Sequence, residues 1–167
     1  MGSGVRLSCP NCGYNDRFLL GVGFSYPRVF SNTMKEAKHG QFGKKLYRLL
    51  KKHPDAVLDP TLVLTHCPKC HLLGRAMDLT AYVPKPGYDR SKEPKGIWSC
   101  AFPALNIDYV SPNDFRVHYD VLEKYGHCCE KCGTELELIS EQELRSRKIP
   151  CRKCGEILQV STDRMWD

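Results

Sequence analysis

Cys9 and Cys12, Cys67 and Cys70, Cys129 and Cys132, and Cys151 and Cys154 form four Cys-x-x-Cys pairs, which together use eight of the ten cysteines in a 167-residue chain. Two intervening residues let a tight turn present both sulfurs on one side. In three of the pairs a glycine follows and supplies the positive φ on which such a turn ends. One turn of this kind offers half of a tetrahedral four-sulfur cage, and two complete it. Four pairs therefore predict two metal sites. Zn2+ suits them best, because it takes four thiolates in a tetrahedron without redox chemistry. A closed four-cysteine site has no open position for a substrate, so the expected cofactor is two structural Zn2+ ions and no catalytic residue is assigned.

The spacing suggests which pairs join. Eighteen residues separate Cys132 from Cys151, within the usual interval of about 15 to 20 for a zinc ribbon, so Cys129, Cys132, Cys151 and Cys154 are expected to form one site. Cys9, Cys12, Cys67 and Cys70 would form the other across 54 residues. The alternative joins Cys67 and Cys70 to Cys129 and Cys132. His66, His71, His127 and Cys128 adjoin the motifs and could substitute for a ligand, although Cys129 keeps the regular spacing that Cys128 lacks. Cys100 has no partner in sequence and reads as a buried structural thiol. Cys9-Pro10-Asn11-Cys12 superficially resembles a thiol-exchange motif, but that chemistry wants a cysteine at a helix N-terminus, which leaves a redox protein as a remote alternative.

The elements that carry these motifs alternate between strand and helix. Strands are expected at 6–8 and 17–24 around the first motif, at 61–65 and 75–83 around the second, and at 135–139 and 157–160 in the last module. A helical insert covers about 31–53, where Leu46, Leu49 and Leu50 form an apolar stripe that Pro54 stops. Ser111-Pro112-Asn113-Asp114 opens a capped helix that Gly126 would end, with Phe115, Tyr119, Leu122 and Tyr125 on its buried side. Ser140 and Glu143 form a capping box. Prolines and glycines among charges make 84–110 a linker or packing segment. The fold class expected is α+β: a zinc ribbon with a helical insert over 1–83, the linker, and a helix with a second ribbon over 111–167.

At this point the chain resembles the zinc-ribbon superfamily, and residues 9–82 resemble a CpXC-type bacterial zinc-binding domain. The resemblance rests on Cys9-Pro10-Asn11-Cys12 and Cys67-Pro68-Lys69-Cys70 around a variable helical insert. It covers under half of the chain, and His71 departs from the glycine usual after such a turn. It implies a zinc-binding module without an assigned activity.

Charge supplies the functional expectation. The chain's formal net charge is +6, and residues 28–53 alone carry eight cations against Glu36. On the helical wheel Lys44, Lys45, Arg48, Lys51 and Lys52 stand away from the leucine stripe. Like charges at i,i+4 repel in the absence of an anion, and phosphate is the obvious one. A solvated face accounts for the same charge without a ligand. A non-catalytic nucleic-acid-binding module is expected, with a protein–protein adaptor as the alternative, its aromatic anchors drawn from Tyr82, Tyr88, Trp98, Phe102, Tyr109 and Trp166. No phosphate loop, nucleophile elbow or zinc-protease motif points to an enzyme or a small-molecule substrate. No membrane-spanning run or export signal is read, and paired thiols suit a reducing cytoplasm.

Overall fold

The computed structural model describes residues 2–23, 25–93, 95–98 and 105–166. In chain order its elements are β1 (Gly2–Ser8), β2 (Asn15–Leu20), α1 (Tyr26–Lys38), α2 (Lys44–Lys52), β3 (Val57–Leu58), β4 (Leu62–His66), β5 (Leu73–Met77) and β6 (Ala81–Pro84). There follow β7 (Lys95–Trp98), β8 (Leu105–Asp108), α3 (Pro112–His118), β9 (Tyr119–Glu123), β10 (Glu137–Ile139), α4 (Glu141–Leu144) and β11 (Gln159–Trp166). Helix and strand are mixed throughout, as an α+β protein requires.

The chain divides into two compact units, and each is assembled from separated stretches. One unit comprises 1–23, 61–78 and 126–167, and the other 24–60 and 79–125.

The first unit contains every Cys-x-x-Cys pair. Its three-stranded sheet has the order β11-β1-β2, all antiparallel. Val5 and Leu7 on β1 are wholly buried while Arg6 between them is exposed, the alternation of a strand with one face on a core. A second antiparallel sheet runs β10-β4-β5 and aligns Leu64 with Ile139, both fully buried. Gly21 and Leu62 exchange backbone hydrogen bonds of 2.7 and 3.1 Å, so β2 continues into the second sheet. The turn needs Gly21 at φ 80°. Leu144 on α4 closes the core from below, because the capping box holds that helix in place: Ser140 Oγ accepts from the Glu143 N–H at 3.3 Å, and Glu143 Oε2 accepts from the Ser140 N–H at 2.9 Å.

The second unit packs α1 against α2 and β3. Its sheet has the order β3-β6-β9, and β7 and β8 form a separate antiparallel pair. Tyr26, Phe30 and Ala37 bury one side of α1, and Leu46 and Leu50 bury one side of α2. Ser111 caps α3 as its sequence requires, with Oγ accepting from the Asp114 N–H at 3.3 Å.

Four expectations are corrected. The capped helix stops at His118 and the chain continues as β9, because Tyr119, Val121 and their neighbours pair with β6. Backbone pairing with β6, not a burial period, makes this segment a strand, since Tyr119 is buried while Val121, two residues on, is 55% exposed. The strand expected over 75–83 is cut in two by Leu79, held at φ 58° with its N–H donating to the Asp59 carbonyl at 2.8 Å. The helical insert starts at Tyr26, five residues before 31, with Pro27 in its first turn, and belongs to the second unit. Residues 84–93 do not form a linker. The Lys85 N–H donates to the His118 carbonyl at 2.9 Å, and Arg90 bridges Glu93 and the Asp55 carbonyl, while Tyr119 donates to the largely buried Glu93 carboxylate.

The strands dictate a test. A fragment spanning 111–167 contains two Cys-x-x-Cys pairs but lacks β1 and β4, the partners of β11 and β10. Its amide NMR spectrum is expected to remain undispersed with metal added, whereas the full chain disperses. A folded fragment binding one equivalent of metal would contradict this topology.

Candidate metal sites and the basic face

All four Cys-x-x-Cys motifs build one local structure. The first cysteine's N–H donates five residues ahead, to the carbonyls of Tyr14, Leu72, Thr134 and Glu156, at 2.7 to 2.9 Å. Its carbonyl accepts from the N–H four residues ahead, at 2.8 to 3.2 Å. That fourth residue must be left-handed, and Gly13, Gly133 and Gly155 take φ of 68°, 70° and 79°. His71 takes the same position at φ 54°, a conformation unfavourable for a residue with a Cβ. Its ring stacks on His66 at 5.7 Å, with Nδ1 3.4 Å from His66 Nε2. His66 Nδ1 lies 3.0 Å from Glu137 Oε2, which also accepts from Arg147 at 2.5 Å. The His66 contact, followed by the Arg147 charge, holds the Glu137 carboxyl below its usual range.

The cysteines form two groups of four, but not the sequential groups that spacing favours. Cys9, Cys12, Cys151 and Cys154 form one, and Cys67, Cys70, Cys129 and Cys132 the other, with the four sulfurs of each within 4.8 Å of one another. The second group is the alternative pairing weighed in the sequence. Sheet order gives the reason: β11 returns to β1 and carries the last motif to the first, while β10 joins β4 and carries the third to the second. The two motifs behind the CpXC resemblance thus serve different groups.

In both groups the first cysteine of one turn faces the second of the other. Cys9 Sγ lies 3.4 Å from Cys154 Sγ and Cys12 Sγ 3.6 Å from Cys151 Sγ. Cys67 to Cys132 is 3.4 Å, Cys70 to Cys129 3.6 Å and Cys70 to Cys132 4.0 Å. These separations far exceed a disulfide bond of about 2.05 Å. They bracket the ~3.8 Å edge of a sulfur tetrahedron around an ion with ~2.3 Å metal–sulfur bonds. The first cysteine of every motif is buried, and the second is exposed or half-buried. Each cage therefore sits with one side in the core and the other at the surface.

Four thiols this close cannot all ionise without a cation. In the group of Cys9, Cys12, Cys151 and Cys154, the outer one along the chain, burial raises the Cys151 thiol, but the N–H groups of Lys153 and Cys154 outweigh it and bring it to about 7. The Tyr14 N–H lowers Cys12, yet burial and the three neighbouring sulfurs drive it to about 12. The inner group divides likewise. The Thr134 hydroxyl, helped by the Thr134 N–H, holds Cys132 at about 6. At Cys70 the Leu72 N–H is outweighed by the Cys67 sulfur, burial and the other thiols, which together raise it to about 11. A divalent cation removes the repulsion, so binding expels protons and weakens in acid.

The other candidate ligands lie outside both groups. Cys128 is exposed, beside a cavity of about 330 Å3 that Gly74, Arg75 and His127 also line. His127 Nε2 lies 3.4 Å from the Asp78 carbonyl. Arg152 and Lys153, beside the outer cysteines, stand 5.0 and 5.8 Å from the centre of the buried Tyr14 ring. Both Cys9 and Cys12 lie between two strands, with no helix N-terminus at either.

All five predicted basic residues of α2 are exposed, and Leu46 and Leu50 are buried opposite them. Lys45 is engaged by Glu123. Lys44, Arg48, Lys51 and Lys52 have no carboxylate partner among the described residues. Three expected aromatic anchors are spent internally: Tyr82 on Phe115, Tyr88 on His118 and Tyr109 on Tyr26. Cys100, Phe102 and the side chains of Trp98 and Trp166 lie outside the described residues. Comparison of the chain with protein-family models, curated proteins and solved structures finds no match.

Paired substitutions test the grouping. Cys9→Ser with Cys151→Ser should leave one metal ion per chain by elemental analysis, whereas Cys129→Ser with Cys151→Ser should leave none. Sequential grouping predicts the reverse. The turn itself is tested by Gly133→Ala, whose added Cβ meets nothing within 4 Å. Denaturant unfolding should register a loss of about 1 to 2 kcal/mol from backbone conformation alone.

Proposed function

We propose that both cysteine groups hold Zn2+ as structural sites and that the protein is a non-catalytic module which binds nucleic acid through α2. The sulfur separations and the all-thiolate donor set support zinc, and four ligands leave no coordination position for chemistry. Cysteines between strands, without a helix dipole to stabilise an attacking thiolate, argue against thiol exchange.

One observation carries the nucleic-acid reading: α2 gathers on its exposed face four cations with no carboxylate partner among the described residues, and their mutual repulsion costs stability. Lys44 is its first helical residue after the Gly43 N-cap, and the first turn contains no acid. A cation at that end opposes the helix dipole, by about 0.3 to 1 kcal/mol. Lys44 and Arg48, and Arg48 and Lys52, add like-charge i,i+4 pairs of about 0.2 to 0.5 kcal/mol each. An anionic partner reverses all these signs. The Lys45 pair with Glu123 reduces the proposed phosphate contacts to Lys44, Arg48, Lys51 and Lys52.

Replacing these four with glutamine is expected to weaken RNA or DNA binding without loss of folding or zinc, because their side chains lie opposite the buried leucines. Each lost phosphate contact should lower the slope of log affinity against log salt by about 0.7 to 0.9. Unchanged affinity and slope would show the charge to be a solvated face. Wild-type protein that ignores nucleic acid but binds an acidic protein would favour the adaptor.

A further inference from the structure

Beside the cations of α2 lies a cavity of about 290 Å3, lined by Lys38, Tyr47, Leu50, Lys51 and Pro54. Lys38 ends α1, Tyr47, Leu50 and Lys51 lie on α2, and Pro54 follows it, so the cavity belongs wholly to the second unit. Its composition is divided. Tyr47, Leu50 and Pro54 give it an aromatic and aliphatic wall, while Lys38 and Lys51 bring two ammonium groups to the rim. Leu50 is buried, Tyr47 only half-buried, and both lysines are exposed. Lys51 Nζ stands 5.5 Å from the centre of the Tyr47 ring.

We infer that this cavity receives an unstacked base of single-stranded nucleic acid against Tyr47, while Lys38 and Lys51 take the flanking phosphates. The inference rests on the nucleic-acid reading proposed above and narrows it to single strands. Phosphate charge alone would not distinguish strand from duplex, but the cavity does. In a duplex the faces of the bases are covered by their neighbours and cannot reach a ring, whereas an unpaired strand offers every base as a stacking face. The ammonium now near Tyr47 has a stronger partner in phosphate, so Lys51 turns to the backbone as the base enters. From Lys44 to Lys52 the helix rises about 12 Å, which extends the cationic track beyond one nucleotide. An acidic protein would match the charge but gives no reason for an aromatic cavity between two lysines.

The test uses the full-length zinc-loaded protein and fluorescence anisotropy with a labelled single strand of about a dozen nucleotides, alone and annealed to its complement. Wild type should bind the single strand more tightly than the duplex. Tyr47→Leu, which keeps apolar volume without the ring, should weaken single-strand binding on the order of tenfold and leave duplex affinity and the salt slope unchanged. Tyr47→Phe should retain wild-type affinity. Equal affinity for strand and duplex, or an equal loss for both in Tyr47→Leu, overturns the base pocket while the cationic face stands. Wild-type protein that binds neither overturns both readings. Circular dichroism and two retained zinc equivalents verify that Tyr47→Leu is folded.

Discussion

The antiparallel pairing of β1 with β11 is the constraint on which the arrangement of the metal-binding unit depends. Leu7 opposite Val160 and Ser8 opposite Gln159 leave the strands in register to deliver Cys9 and Cys151 to one place. The chain between Cys12 and Cys151 is 138 residues long, against 18 between Cys132 and Cys151. Chain entropy favours the short connection, yet closing the longer loop costs only about 2 kcal/mol more. A structural Zn2+ contributes on the order of 10 kcal/mol or more of apparent folding free energy. Strand pairing is therefore free to choose the partners.

Once the ends are joined, the inner group follows. The 58 residues between Cys70 and Cys129 lie within the outer loop, and β10 pairs with β4 before the chain reaches the last motif. The two sites are nested like brackets. The second unit consists of the stretches between brackets, so its helices are not an ornament on one ribbon: 24–60 and 79–125 supply each other's core, with β3 from the first stretch beside β6 and β9 from the second.

Local chemistry was legible in the sequence and partner choice was not. The Cys-x-x-Cys turns, their glycines, the Ser111 and Ser140 caps and the apolar stripe of α2 follow from a few adjacent residues, and all appear where they were read. The grouping failed because the interval from Cys132 to Cys151 was treated as a ribbon of two paired strands. The capping box within it already argued otherwise, since a helix there uses up residues and redirects the chain so that β10 and β11 end in different sheets. Residues 119–125 were misread for a related reason. Phe115, Tyr119 and Leu122 satisfy a helical period, and only the presence of β6 as a hydrogen-bonding neighbour decides for strand. Leu79 has no sequence signal at all, because its positive φ is imposed by burial and by the Asp59 carbonyl.

Charge divides between the units more sharply than the total suggests. The metal-binding unit has 11 cations and 10 acids, and the other 14 cations and 9 acids, for +1 and +5. Two divalent ions held by eight thiolates would bring −4 to the first and make it −3. Basicity in this protein is then no general property of its surface. It belongs to the second unit, and there mainly to helices whose buried faces leave Lys44, Arg48, Lys51 and Lys52 outward. The cysteine groups and the cationic helix fall in different units, so the sites that would hold metal and the groups proposed to meet phosphate are built from separate stretches of the chain.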